Sequence, residues 1–174
     1  FDFFVTNYQW ETNSLYRNLG NGFFADATYE AGLGMPSLRR LAWGTIFFDY
    51  DNDGDSDLFV ANGHLDDNVE LFDTSVTYAQ QNQLFRNDGQ GRFTDVTHSA
   101  GPGMALAQVS RGAAVGDYDE DGDLDLVVAN NNQPAALLRN DGGNLNRWLS
   151  VKLIGGASNR DGIGALVEVV AEGR

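Results

Sequence analysis

The sequence repeats itself at a spacing of 68 residues, and the repeated element is one that a folded chain does not ordinarily tolerate. DYDNDGDSD at 49–57 places five aspartates at alternate positions, and DYDEDGDLD at 117–125 does the same. The likeness extends outward. GTIFFDYDNDGDSDLFVAN (44–62) lies over GAAVGDYDEDGDLDLVVAN (112–130), and DFFVTN (2–7) lies over DLFVAN (57–62), so the chain opens inside a third copy. A second module follows each: SLYRNLGNGFFADAT (14–28), QLFRNDGQGRFTDVT (83–97) and the shorter ALLRNDGGN (136–144). A period of several tens of residues points to stacked supersecondary units.

Each RNxGxG is a turn between two short apolar runs, which reads as a β-hairpin whose glycines supply positive φ. If Asp88 opposes Phe93, Arg86 opposes Asp95, and the same count sets Arg17 opposite Asp26. These pairs are read as structural in preference to anion-binding arginines. In the third copy the position facing Arg139 would be Trp148, which marks where the chain leaves the repeat. The runs DLFVAN and DLVVAN are apolar on both faces, as suits strands covered on both sides. No amphipathic helix of useful length is expected, SLRRLAW (37–43) being too short. The fold class is therefore all-β, with four short strands per period, which is the pattern of a β-propeller blade. About two and a half blades are present, whereas closure takes roughly four to eight.

The aspartates need a physical reason. Two like charges about 4 Å apart repel by roughly 4 kcal/mol at an effective dielectric near 20. A hard divalent cation reverses that sign. Oxygen ligands at positions 1, 3, 5 and 9, with a backbone carbonyl at 7, can wrap Ca²⁺ in one tight turn, and Gly54 and Gly122 stand at position 6 where a calcium loop bends sharply. This makes Asp49, Asp51, Asp53 and Asp57 side-chain ligands of one site and Asp117, Asp119, Asp121 and Asp125 those of a second, with Asp55 and Asp123 contributing carbonyls. An EF-hand fails because position 12 is Val60 or Val128 and strands flank the loop. Magnesium suits the loop less well, since it keeps its waters and demands an octahedron. A solvated acidic turn without metal is the alternative.

Charge and composition narrow the partners. The formal net charge is −14, and ten of the 25 acidic residues are the aspartates of the two nonapeptides. A cation in each would still leave the chain strongly acidic, which argues against nucleic acid or an anionic membrane surface. Without cysteine there are no disulfides, no thiol catalysis and no Cys-ligated zinc. No apolar run reaches membrane-spanning length. The opening FDFFVTNY lacks the regions of a signal peptide, but it falls inside a repeat, so a targeting segment could lie upstream.

One copy is longer than the others. From the strand-ending Asn to the hairpin Arg there are 10 positions in the first copy, 9 in the third and 24 in the second, the excess falling in 63–83. An insertion in one blade maps to a loop, where a rigid scaffold presents binding functions; a merely solvated loop is the alternative. Candidate catalytic groups are few: His64 near Asp66 and Asp67, and His98 beside Ser99. There is no nucleophile elbow and no HExxH helix, so both histidines read as loop residues and no catalytic residue is assigned. GGASNRDGIG (155–164) reads as a hairpin turn rather than a phosphate cradle, because no helix follows it. Tyr8, Trp10 and Tyr78 lie near loops and could stack on sugars, although packing between blades is the commoner fate of such aromatics.

FFDYDNDGDSDLFVAN and VGDYDEDGDLDLVVAN resemble FG-GAP/VCBS repeats, the calcium-binding propeller blades also found in integrin α-subunits. NRWLSVKLIGGASNRDGIGALVEVV (146–170) is similar to the start of the ASPIC/UnbV domain, which follows such repeats in bacterial secreted proteins and in the cartilage acidic protein family. The resemblance implies a propeller segment at 1–145 and the beginning of a β-rich ASPIC/UnbV-like domain at 146–174, incomplete at Arg174. It implies calcium as a structural ion at two sites, a secreted, extracellular or periplasmic location, and a non-enzymatic role in adhesion or protein assembly. The partner would be a protein or a glycan, reached through the 63–83 loop. Of the first acidic loop only its last ligand, Asp2, is present, so no third site is expected. A lectin-like propeller and a part of a secreted hydrolase or lyase are the alternatives.

Overall fold

The computed structural model describes residues 2–146, 148–156 and 159–170. Its strands are β1 (Phe3–Val5), β2 (Ser14–Gly20), β3 (Phe23–Asp26), β4 (Ala42–Phe48), β5 (Asp57–Asn62), β6 (Gln80–Gln81), β7 (Gln83–Asn87), β8 (Phe93–Asp95), β9 (Ala107–Gln108), β10 (Ser110–Gly116), β11 (Asp125–Asn130) and β12 (Ala136–Leu138). The 37–43 stretch contributes only the end of a four-residue helix, α1 (Gly34–Ser37), before β4 begins. The sheets are antiparallel meanders, β1-β2-β3, β4-β5-β7-β8 and β10-β11-β12, with β6-β9 a two-residue ladder. The middle sheet is a complete four-stranded blade. The first has no innermost strand and the third no outermost strand among the described residues, so the array is open.

Alternation along the strands builds two cores. Leu58 and Val60 of β5 join Phe85, Leu15, Ala27 and Leu33 between the first two blades. Phe59 and Ala61 point the other way, to Leu84, Met104, Leu126 and Val128 between the second and third. Every residue of β5 is consequently buried, as its unbroken apolar run implies. Among the described residues β11 has a neighbour on one face only, and Val127 is 47% exposed. At the other end of the array Phe3 and Phe24 stack outward, ring centroids 4.8 Å apart. Inner strands meet through glycine: a Cβ on Gly44 would stand 2.7 Å from the Gly112 Cα.

The hairpins form where expected, with positive φ at Gly20, Gly22, Gly89 and Gly91, but their register differs by one residue. Asn87, not Asp88, faces Phe93; Arg86 faces Thr94 and Asp95 faces Phe85. Likewise Arg17 faces Ala25, and Asp26 faces Tyr16. The reason is a longer turn. Asp88 belongs to it, its N–H bonded to the Arg92 carbonyl and its carboxylate accepting the N–H groups of Gln90 and Arg92. A one-residue slip turns a side chain to the other face, so the expected Arg–Asp ladders do not form. Arg17 pairs with Glu30 at 3.6 Å, and Arg139 pairs with Asp141 at 2.7 Å and lies 3.9 Å from Asp119. Trp148 does not face Arg139; it lies against Gly122 in the third-blade acidic loop.

Residues 63–83 are held down rather than free. Arg111 donates to the carbonyls of Gly63, His64 and Ser110 while its guanidinium lies 4.3 Å from the Trp43 ring centroid. The segment reaches both neighbours, with the Tyr8 hydroxyl donating to Asp66 and the Asn131 amide donating to the Tyr78 hydroxyl. At its tip Leu71 and Phe72 are about four-fifths exposed. Beyond residue 145 the described residues carry no strand. Around the 155–164 stretch, whose Ala157 and Ser158 lie outside the described residues, the chain turns on a Gly155 N–H bond to the Arg160 carbonyl and an Asn159 side chain bonded to both backbone groups of Ile163. No helix follows that turn among the described residues.

Candidate metal centres

Both acidic nonapeptides join an inner strand to the next strand of the same blade, β4 to β5 and β10 to β11, which puts them on one face of the array. The inserted loop leaves the far end of β5 and so lies on the opposite face. Within each loop three carboxylates converge: Asp49, Asp51 and Asp57 in one, Asp117, Asp119 and Asp125 in the other, each offering an oxygen within 4.8 Å of the other two. These six are among the ten residues singled out by spacing. Asp53 and Asp121 stand outside the triads. Each instead accepts the N–H two residues on, that of Asp55 or Asp123. The Asp55 carboxylate lies against Gly89 of the following hairpin, and Asp123 is buried beside Gly143.

The loops are shaped by their own aspartates. Asp49 accepts the N–H groups of Asp53 and Gly54, and Asp117 those of Asp121 and Gly122. Gly54 and Gly122 turn at φ +95° and +94°, the bend expected at position 6. Position 4 is also left-handed, at Asn52 (φ 52°) and Glu120 (φ 61°). Asn tolerates that region better than Glu does.

Position 9 does more than offer a ligand. Asp57, fully buried, accepts the N–H of Tyr50 at 3.1 Å with one oxygen and that of Asn87 at 2.8 Å with the other. Asp125 repeats this with Tyr118 and Asn140, and Asp2 accepts the Asn18 N–H at 2.7 Å. The Asn of each RN module therefore ties the hairpin to the acidic loop. Spacing alone missed this link; the signal was the recurrence of Asn after Arg in all three copies.

Electrostatically the sites are poised for a cation. Burial pushes the Asp57 carboxyl up to about 6, the Asn87 and Tyr50 N–H groups opposing and the charges of Asp51 and Asp53 adding. Burial also raises Asp51, helped by Asp53 and Asp49 and countered by Arg86. Asp119 is raised by desolvation and then by Asp121 and Asp125, with Arg139 opposing. The buried Asp51 Oδ1 has no hydrogen-bond partner among the described residues. A buried acceptor left in that state costs about 1–3 kcal/mol, and a hard cation would satisfy it.

A family model for the FG-GAP-like repeat matches residues 1–60 and 65–128, each segment containing one acidic loop. The chain belongs to the FG-GAP-like repeat family. Its blades are also similar to curated relatives: Cartilage acidic protein 1 of Mus musculus and of Homo sapiens is in each case 25% identical over 186 residues, covering 80% of this chain and 28% of the relative. The same-named protein of Xenopus tropicalis is 30% identical over 130 residues, 73% of this chain and 17% of its own. The chain thus spans less than a third of the length of these relatives. The break between the two FG-GAP-like matches, at 61–64, coincides with the start of the insertion.

The histidines are not arranged as a catalytic pair. His64 is fully buried, its Nδ1 accepts the Asp66 N–H at 3.0 Å, and its ring packs edge-on to Tyr8. His98 is exposed, and the Ser99 hydroxyl beside it donates to the Val96 carbonyl instead. Among the described residues no helix is long and apolar enough to cross a membrane.

Proposed function

We propose that the chain is the calcium-stabilised blade segment of an extracytoplasmic scaffold that serves adhesion or protein assembly and performs no catalysis. The observation that carries this reading is the pair of matching carboxylate triads, each closed by a buried aspartate that also holds two backbone N–H groups. Ca²⁺ suits an all-oxygen set in a flexible loop. Asp49, Asp51 and Asp57, with Asp53 and the Asp55 carbonyl beside them, would hold one ion. Asp117, Asp119 and Asp125, with Asp121 and the Asp123 carbonyl, would hold the other.

Hydrogen bonds cross the blade boundary at this face: Asn52 of the first loop donates to the Gly122 carbonyl of the second, and Asn140 and Asn146, which follow β12, donate to the carbonyls of Tyr50 and Asp51. Calcium then fixes how neighbouring blades meet as well as each turn. The outward apolar faces at Phe3 and Phe24 and at Val127 and Leu137 are the surfaces further blades would cover. Residues 146–174 would begin an ASPIC/UnbV-like domain. The inserted loop, with Leu71 and Phe72 at its tip, is the proposed contact for a protein partner.

The test is thermal unfolding in EDTA, then with calcium or magnesium restored, on the parent chain and on Asp53→Ala and Asp121→Ala. A calcium-specific rise in Tm, reduced by either substitution, is expected. Saturation at a hundredfold excess over Kd corresponds to about 2.7 kcal/mol per site. A Tm indifferent to calcium would sink the proposal.

A further inference from the structure

On the face opposite the acidic loops, a cleft of about 460 Å³ lies between the Trp10 turn, α1 with the residues after it, and the 75–77 part of the inserted segment. Its chemistry is unlike the rest of this acidic chain. Arg39 and Arg40 both line it. Among the described residues neither guanidinium makes a hydrogen bond or an ion pair within 4 Å. The nearby carboxylates are already engaged: Asp73 accepts from the Trp10 indole N–H and from Ser75, and Asp95 from Gln83 and Thr97.

Gln80 supplies an independent sign. It is 2% exposed and lines the same cleft. Its Oε1 accepts the Leu41 N–H at 2.9 Å, which fixes the orientation of the amide and makes the other atom the nitrogen. That Nε2 has no partner among the described residues. A buried donor left in this way costs about 1–3 kcal/mol. The Trp10 ring, half exposed, is fixed by its bond to Asp73, with the Arg39 guanidinium 5.8 Å from the ring centroid. Trp10 itself sits at φ 67°, a conformation that is strained for a bulky residue.

We infer that this cleft is a binding site for an acidic saccharide, a sugar ring bearing a carboxylate or sulfate. Two guanidinia with no ion pair within 4 Å among the described residues, and an amide nitrogen without a partner there, offer donors and call for a charged acceptor. Trp10, Leu38 and Val76 supply the apolar surface against which the C–H face of a ring lies. The volume falls within the range of roughly 300–1,000 Å³ usual for small-ligand sites. A peptide held by strand addition needs a free sheet edge, and among the residues lining this cleft only Gln80 belongs to a strand, the two-residue β6, which is already paired with β9.

The test is calorimetric titration of the intact chain, with calcium present throughout, using a uronate disaccharide, a sulfated disaccharide, a neutral disaccharide, inorganic sulfate and an Asp/Glu tetrapeptide. At least one acidic disaccharide should bind tenfold or more tighter than the neutral sugar, sulfate ion and peptide. That binding should weaken at least tenfold in Arg40→Gln and in the more exposed Arg39→Gln, both checked for unchanged Tm. Equal binding of the neutral sugar, of sulfate alone or of the peptide would overturn the inference. So would an affinity for the acidic sugar that neither substitution alters, or no binding at all.

Discussion

Without metal, this fold should lose stability as pH rises from about 4 to about 6, the reverse of ordinary acid denaturation. The cause is Asp57. Its carboxyl titrates near 3.8 when unfolded and is pushed up to about 6 in the folded chain, chiefly by burial. Between those values the native state binds more protons than the unfolded state, so the unfolding free energy falls with pH. The contribution is fully present below about 4 and lost above about 6. A shift of about two pH units at 1.36 kcal/mol each amounts to about 3 kcal/mol. Asp51 and Asp119 are raised as well and act in the same direction. A bound calcium ion would hold these groups ionised and abolish the slope. The assay is urea unfolding at closely spaced pH values in EDTA and in saturating calcium. The reasoning fails if the two curves have the same pH dependence, or if the metal-free chain is most stable at neutral pH.

Substituting Asp51→Asn should change sign with conditions: it relieves a desolvated charge in EDTA and raises Tm, but removes a ligand and lowers Tm in calcium. Replacing Glu120, held at φ 61°, with the Asn found at the same position of the sister loop should stabilise by about 0.5–1 kcal/mol in chemical unfolding. Gly44→Ala drives a Cβ onto the Gly112 backbone at 2.7 Å and should cost about 1–3 kcal/mol. Gly112→Ala meets nothing within 4 Å and should stay within about 0.5 kcal/mol. Arg111→Ala removes three hydrogen bonds to carbonyls and the stack on Trp43. A loss of about 2–3 kcal/mol, with early proteolysis in 63–83, is the expected outcome.

What was legible in the sequence was local or periodic. The aspartate spacing, Gly54 and Gly122 at the bend, the buried run of β5 and the hairpin glycines each depend on residues a few positions apart. The hairpin register was misread because turn length decides it, and Asp88, which looked like a strand residue, caps the turn with its carboxylate. The left-handed backbone at Glu120 was invisible because nothing in that residue type favours it. Contacts between blades were hidden for another reason. Asn52 with Gly122, Asn140 with Tyr50 and Arg111 with His64 join residues 70, 90 and 47 positions apart, and no spacing rule couples them. The Arg39–Arg40 cleft was missed likewise, since only the packing of the insertion over α1 brings Gln80 beside those guanidinia.

The aspartate that closes each acidic loop bears on how such a chain can grow. Asp2, Asp57 and Asp125 clasp an asparagine N–H at separations of 16, 30 and 15 residues, so the clasp is indifferent to the length of chain between its ends. Duplication of the unit carries both halves along, and material added after the second strand leaves the clasp intact. The face that carries the acidic loops can then be inherited unchanged while the opposite face acquires new segments and new specificities.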